Sequence, residues 1–166
     1  MKRGDSRCRA EIVPVCPRAL RLDTSCRDHL AWHVLLIERV MQQADRFDIV
    51  HFHTGHLHFP IARRLGVPHV TTMHGRLDFT ELAPLHVEFS EVPLVSISNS
   101  QREPLPDANW VATIPHGLAD TLRPSTAPGS YFAFLGRISP EKGIDRAIHI
   151  PTALNQRLNV AANVDP

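Results

Sequence analysis

The chain has 166 residues, a length that fits one domain or parts of two. Its hydrophobic fraction of 43% and charged fraction of 21% are those of an ordinary soluble globular protein. The formal net charge of +1 gives no electrostatic basis for nucleic-acid binding, because contacts with phosphate backbones require a strong basic excess.

No apolar run is long enough to cross a membrane, and no apolar core follows the basic start at Lys2 and Arg3. We therefore expect a cytoplasmic protein without a transmembrane segment. The spacings of Cys8, Cys16 and Cys26 fit no zinc template, so the sequence predicts reduced and incidental thiols.

The first part of the chain, residues 1–28, is rich in Arg, Pro and Asp and predicts an irregular lead-in with one short strand at 12–15. Apolar residues then recur at helical spacing over 30–44, which predicts an amphipathic helix. A short apolar strand is predicted at 47–52.

Helices and strands alternate in the following segment. Gly66 and Pro68 mark the end of a helix, and Pro104 and Pro106 break another short one. Strands with little internal polarity that alternate with helices are typical of a parallel sheet covered on both faces. The predicted elements are a helix at 57–65, strands at 69–73, 94–98 and 110–114, and a short helix after residue 99.

A stretch rich in Pro, Ser, Thr and Gly at 119–130 predicts a linker. Beyond it we expect a strand at 131–135, a loop at 136–143, a helix from residue 144 that Pro151 interrupts, and a strand at 158–162. The predicted organisation is a lead-in at 1–28, a partial α/β domain at 29–118, a linker at 119–130 and the first βαβ fragment of a second domain at 131–166.

Three polar groups follow predicted strands, at the place where open parallel sheets bind ligands. The first is the pair His51 and His53. The second is His74-Gly75-Arg76, and the third is the loop at 136–143. Their equivalent places in successive units favour a shared functional edge.

The loop at 136–143 has the features of a phosphate site. Arg137 and Lys142 lie between Gly136 and Gly143, and a helix follows, whose first amides and dipole attract anions. The second glycine comes after the lysine, so the loop is not a Walker loop. The alternative is an ordinary strand–helix connection with a solvated Arg and Lys.

The segment at 50–59 carries four histidines. By the period of a strand, His51 and His53 point to one side and Phe52 to the other. His56 and His58 follow at the start of a helix, with Phe59 and Pro60 directed inward. An H-x-H pair can chelate a metal, so a metal site and the wall of a ligand cleft remain open at this point.

Three stretches carry a resemblance to a known family: "FDIVHFHTGHLHFPIARRLGVPHVTTMHGRLD", "PLVSISNSQREPLPDANWVATIPHGL" and "FLGRISPEKGIDRAI". In this order and spacing they resemble the family 4 retaining glycosyltransferases of the GT-B fold, over residues 16–150 and more weakly over 151–166. The resemblance implies two Rossmann-like domains that face each other across a cleft. The second domain would hold a UDP- or GDP-linked sugar, and the first would contribute the acceptor side.

The resemblance also implies roles for individual residues. Arg137 and Lys142, with Gly136 and Gly143, would bind the donor diphosphate. His74 would be the catalytic residue beside the transferred sugar. The wall of the cleft would comprise His51, His53, Gly75 and Arg76. The strand histidines are then explained without a metal, and the nucleotide sugar is a substrate rather than a cofactor.

Two parts of the family pattern have no counterpart in this sequence: the first strand with its glycine-rich loop, and the acidic motif of the second domain. We therefore expect a chain truncated at both ends, with little or no activity alone, an unknown acceptor, and self-association through an exposed sheet. The alternatives are a non-catalytic remnant that binds a sugar, a phosphate or a protein, and a histidine-rich metal-binding protein.

Overall fold

The structure is a computed structural model that describes residues 9–20, 23–118 and 125–163. The chain divides into two compact units, Met1–Gly117 and Leu118–Pro166. Several predictions lie wholly or partly outside the described residues: the thiol of Cys8, the lead-in at 1–8 and 21–22, the linker at 119–124, and the end of the second domain at 164–166.

The first unit begins its regular structure with helix α1, His29–Met41. The side chain of Asp28 accepts hydrogen bonds from the amides of Leu30 and Ala31, at 2.9 and 3.2 Å, and so caps the helix. The predicted helix is confirmed, although it ends at Met41 and a separate 3₁₀ turn, Ala44–Arg46, follows.

Four parallel strands form the sheet of this unit, in the order β1-β2-β3-β4. The pairing register sets Phe52 opposite Thr71 and Thr72 opposite Val95, so the carboxyl ends of the strands lie along one edge. The strands are β1 (Val50–Phe52), β2 (His69–Thr72), β3 (Leu94–Ser96) and β4 (Trp110–Thr113).

Two further helices connect these strands: α2, Phe59–Leu65, and α3, Leu82–Glu88. Helix α2 ends at Gly66, whose φ of 65° lies in the left-handed region that glycine adopts without a steric penalty. Helix α3 has no counterpart among the elements predicted from the sequence. Pro84 is the third residue of α3, in the first turn, where the missing amide removes no intrahelical bond.

Two clusters of buried apolar side chains form the core of the first unit. One contains Phe59 and Leu94, which are 0% and 1% exposed, and it extends over α3. The other is formed where α1 and α2 pack on β1. The members of the first are Phe59, Met73, Leu77, Leu82, Val92, Leu94 and Leu105; those of the second are Ile37, Met41, Phe52 and Ala62.

The strand predicted at 12–15 is wrong. Residues 11–14 have no regular structure, and a bend begins at Val15. Pro14 lacks the amide that a ladder requires, so the segment cannot pair as a strand along its full length. Val13 and Val15 instead line an apolar cavity beside α1 and β1.

The second unit is one βαβ unit: β5 (Phe132–Arg137), α4 (Ile144–Ala153) and β6 (Leu158–Asn163). The two strands pair in parallel, from Phe132 opposite Leu158 to Arg137 opposite Asn163. The prediction that Pro151 interrupts the helix is wrong, because α4 continues through Pro151 to Ala153 and ends only two residues later.

The predicted fold class is confirmed: the protein is α/β, with a four-stranded parallel sheet and a two-stranded parallel sheet. Within the described ranges, no helix has the length and apolar character needed to cross a bilayer. Cys16 and Cys26 are free thiols, and Cys16 is buried.

Candidate functional site

Strand ends of the first unit bring four histidines together. His51 lies in β1, and His53 follows its last residue. His74 comes two residues after β2, and His116 three residues after β4. Because these strands are parallel, the four side chains reach the same edge of the sheet.

These four residues form a row of imidazole rings, which we call the histidine row. His53 Nδ1 lies 2.7 Å from His74 Nε2, a hydrogen-bond distance. The rings of His74 and His116 are stacked, with centroids 5.2 Å apart and planes inclined by 3°. His51 and His53 have ring centroids 4.3 Å apart. All four residues are exposed, so the row lies open to a ligand.

The protonation of the row follows from its packing. Partial burial, and then the neighbouring His51 and His74, lower the pKa of His53 below its ordinary value of 6.5. Partial burial, and then His116 and His51, lower the pKa of His74 in the same way. Both rings are therefore neutral at pH 7, and each presents one donor and one acceptor nitrogen.

His51 is anchored to the neighbouring strand. Its Nε2 lies 2.8 Å from the hydroxyl oxygen of Thr72, a buried residue of β2. This contact orients the first ring of the row. The sequence analysis placed His51 at the strand end but gave no role to Thr72.

Gly75 and Arg76 follow His74 in the same loop. A Cβ atom on Gly75 would meet no atom within 4 Å, so the space beside its backbone is open. Arg76 turns to its own neighbours: its guanidinium bonds both carboxylate oxygens of Asp78, at 2.9 and 2.6 Å, and lies 5.3 Å from the ring centroid of Phe79. The predicted wall residue Arg76 is thus engaged in a local ion pair.

The second half of the histidine-rich segment does not join the row. His58 is fully buried, with its Nε2 2.9 Å from Thr71 Oγ1 and its ring stacked on Phe52 at 3.7 Å. The inward direction predicted for Phe59 is confirmed, but the one predicted for Pro60 is wrong, since Pro60 is exposed. The residue that packs inward is His58, beside Phe59.

The four histidines of residues 50–59 therefore face two environments and do not converge on one point. Among the described residues, no group of three or more His, Cys, Asp and Glu side chains is arranged to hold a metal ion. Within the histidine row, His53 and His74 present neutral hydrogen-bonding groups, a chemistry suited to hydroxyl groups rather than to a strongly charged ligand.

The predicted phosphate loop lies in the second unit, between β5 and α4. It contains a 3₁₀ turn, Pro140–Lys142, followed by Gly143 with a φ of 66°. This left-handed conformation favours glycine and sets the start of α4. At Gly136, a Cβ atom would lie 3.4 Å from the ring of Phe134 and 4.0 Å from Lys142 Cγ, so Lys142 crosses close to the backbone there.

Both cations of the loop are exposed. A guanidinium nitrogen of Arg137 lies 3.4 Å from a carboxylate oxygen of Glu141, an ion pair whose side chains are 59% and 39% exposed. Exposed pairs of this kind contribute little free energy, because water screens them. This ion pair therefore adds little to the stability of the loop.

The sequence analysis missed two residues of the first unit's site. His116 follows β4 as His53 follows β1, so the same rule would have identified it. Gln101 lies on a 3₁₀ turn, Ser100–Arg102, and donates hydrogen bonds to the carbonyl oxygens of Met73 and Gly75, on either side of His74. No sequence pattern marks Gln101.

The sequence model of Glycosyltransferase Family 4 matches residues 2–124. The chain belongs to glycosyltransferase family 4. This match spans the whole described sheet of the first unit and includes the histidine row. No curated protein matches the chain.

Membership in glycosyltransferase family 4 confirms the predicted resemblance and supports a glycosyltransferase-like function with sugar substrates. The match stops before β5, so the phosphate loop of the second unit lies outside the matched residues. The roles predicted for Arg137, Lys142 and the histidines stay predictions.

Proposed function

We propose that this glycosyltransferase family 4 chain binds a nucleotide-sugar donor, UDP- or GDP-linked, and acts in transfer of the sugar to an acceptor with retention. The observation that carries the proposal is the histidine row: four imidazoles from three strand ends meet at one edge of the sheet in the part of the chain that matches the family.

Neutral imidazoles suit a sugar better than charged groups do. Each ring nitrogen can donate to or accept from a hydroxyl, and no ionic group must lose its water when the sugar binds. His74 is in the middle of the row, between His53 and His116, and the space beside the backbone of Gly75, the next residue, is open. We assign His74 the contact with the transferred sugar, and His51 and His53 the wall beside it.

The donor diphosphate is assigned to the loop between β5 and α4. Arg137 can bind a phosphate through two parallel N–H groups, and Lys142 adds a compact charge on the same loop. Gly143 brings the first amides of α4 toward the loop, where the positive end of the helix dipole lies. Together these groups favour a ligand with about two negative charges.

The cations and amides of the loop between β5 and α4 also fit the chemistry of sugar transfer. When the bond between the anomeric carbon and the phosphate oxygen breaks, negative charge develops on the departing nucleoside diphosphate. Fixed cations and amides that face this charge stabilise the transition state more than the ground state. Arg137 and Lys142 are the residues to which we assign that role.

Diphosphate binding is tested by titrating UDP and GDP into the full chain and following backbone amide shifts by NMR. We expect shifts in the loop at 136–143 of the wild type and their loss in the double variant Arg137→Ala, Lys142→Ala. The matched control is Arg157→Ala, which removes another exposed cation of the same unit. Arg157 immediately precedes β6, and its side chain donates a hydrogen bond to Asn159. Equal binding by the double variant and the wild type would overturn the assignment.

The sugar contact has a separate test. The same titration with a UDP- or GDP-hexose should shift the imidazole signals of His74 and His53, and His74→Ala should reduce the affinity for the nucleotide sugar but not for the nucleotide alone. Equal loss of affinity for both ligands would contradict the role of His74.

A further inference from the structure

The side chain of Gln101 makes three hydrogen bonds that connect two strand ends. Its Oε1 accepts from the amide of Ile97, just after β3, at 2.9 Å. Its Nε2 donates to the carbonyl of Met73 at 3.1 Å and to the carbonyl of Gly75 at 2.9 Å. The residue itself is held by a hydrogen bond from its backbone amide to Ser98 Oγ, at 3.2 Å.

The two carbonyls bound by Gln101 belong to the residues directly before and after His74 in the chain. The ladder between β2 and β3 ends with the bond from the amide of Met73 to Val95 O, at 2.9 Å. Beyond that point the chain leaves the sheet, and the two bonds from Gln101 fix the peptide group between Met73 and His74 and the peptide group between Gly75 and Arg76. A backbone fixed on both sides restricts where the Cα–Cβ bond of His74 can point.

Few side chains can make this set of bonds. The site needs one acceptor toward Ile97 and two donors toward the carbonyls, and a primary amide group supplies both N–H donors and a carbonyl oxygen. Glutamate has the same length but only acceptors when ionised, and its charge would face two carbonyl oxygens. Methionine has a similar length and neither strong donor nor strong acceptor.

We propose that Gln101 is a positioning residue that holds the imidazole of His74 in the histidine row by fixing the carbonyls of Met73 and Gly75. This inference rests on the proposed function in one respect, the contact of His74 with the sugar, because Gln101 would hold the imidazole in the orientation that this contact needs. Pre-organised groups bind better because less conformational freedom is lost on binding.

The test compares Gln101→Met and Gln101→Glu with the wild type by NMR of the histidine side chains in the ligand-free protein. The matched control is Gln42→Met, which removes a side-chain hydrogen bond to Glu38 on α1, away from the row. In both Gln101 variants we expect loss of the contact signal between the rings of His74 and His116, while the contact between Phe52 and the buried His58 remains.

The titration of His74 gives a second readout that a purely structural role would not move. The groups that face His74 are His53, His51 and His116, and partial burial with two of these rings lowers its pKa. Release of the loop exposes the ring and separates it from His116, so the titration midpoint of His74 should rise toward the ordinary value. Gln101→Glu adds a charge that raises the midpoint by itself, so Gln101→Met decides this readout.

An unchanged ring contact and midpoint in Gln101→Met would overturn the inference. If Gln101→Met does not fold, Gln101→Glu decides through the ring contact, since it keeps the acceptor for Ile97 and replaces the two donors by a carboxylate oxygen that cannot bond the two carbonyls. The measurement needs no ligand, so its outcome is independent of the proposed function. Loss of the ring contact without any sugar effect at His74 would overturn only the proposed function.

Discussion

The buried histidine His58 makes the stability of the first unit depend on pH. Its side chain is fully buried between Phe52, Phe59 and His69, with one nitrogen bonded to Thr71. Burial, followed by the neighbouring His69 and His56, lowers the pKa of His58 from 6.5 to about 3. The folded state therefore holds the neutral ring, whereas the unfolded chain takes up a proton as the pH falls through 6.5.

The size of the effect follows from the two pKa values. A folded pKa below the unfolded one contributes stability that is complete above pH 6.5 and is lost as the pH falls toward 3. The gap between 6.5 and about 3 corresponds to about 5 kcal/mol in total. Between pH 7 and pH 5, the free energy of unfolding should fall by about 2 kcal/mol because of His58 alone.

The assay is urea unfolding at pH 7 and pH 5, followed by the fluorescence of Trp32 and Trp110, which both lie in the first unit. The variant His58→Gln keeps a donor near Thr71 and removes the titrating ring. We expect the wild type to lose about 2 kcal/mol more than His58→Gln over this interval. His53, His74 and His86, whose pKa values burial also lowers, contribute to both proteins alike.

The control is His29→Gln, at an exposed position at the start of α1, which removes a surface histidine and should keep the loss of stability that His58 causes on acidification. An equal pH dependence in His58→Gln and the wild type would refute the reasoning. It would show that His58 is protonated in the folded state, or that the unfolded state also buries it.

Two other predictions concern the surface and the metal. Leu135 in β5 is 88% exposed, so we predict that the chain self-associates and that Leu135→Gln lowers its weight-average mass in sedimentation equilibrium. A monomeric wild type, or an unchanged mass in the variant, would contradict this prediction. The melting temperature with stoichiometric Zn²⁺ or Ni²⁺ should equal the one measured with a chelator, because His58 is in the core and the described residues offer no group of three metal ligands. A metal-dependent rise that disappears in His53→Ala would show that the histidine row binds metal.

Local chemistry in the sequence was sufficient to predict most elements of the fold. Asp28 marks the start of α1 through its carboxylate, and Gly66 marks the end of α2 through its left-handed φ. Apolar runs of three to six residues separated by helices are typical of parallel strands, and the structure confirms the α/β class. These signals act within a few residues along the chain, so a single sequence carries them.

The two errors over proline have a different origin. Pro14 was placed in a strand that does not form, against the intrinsic preference of proline, whereas Pro151 was expected from that preference to interrupt α4, which it does not. Whether an element tolerates a proline depends on whether an amide at that position would have had a hydrogen-bond partner, and on how well the rest of the element packs. Both depend on residues far along the chain.

For the candidate site, the sequence identified which residues follow strand ends but not how their side chains group. His51 and His58 differ by seven positions in one histidine-rich segment, yet one lies in the exposed row and the other in the core. Their partners, Thr72 and Thr71, are adjacent residues of another strand. The pairing of β1 with β2, a contact between distant segments, determined which histidine met which threonine.

Only the tertiary structure added His116 and Gln101 to the site. Gln101 is 26 residues from Gly75 along the chain, and no local pattern connects the two. Their hydrogen bond exists because β2 and β3 lie side by side, which brings the turns at their carboxyl ends within reach of one amide group. Residue type and spacing determine strands and caps, whereas the neighbours of a side chain at a sheet edge are decided by the order in which the strands pair.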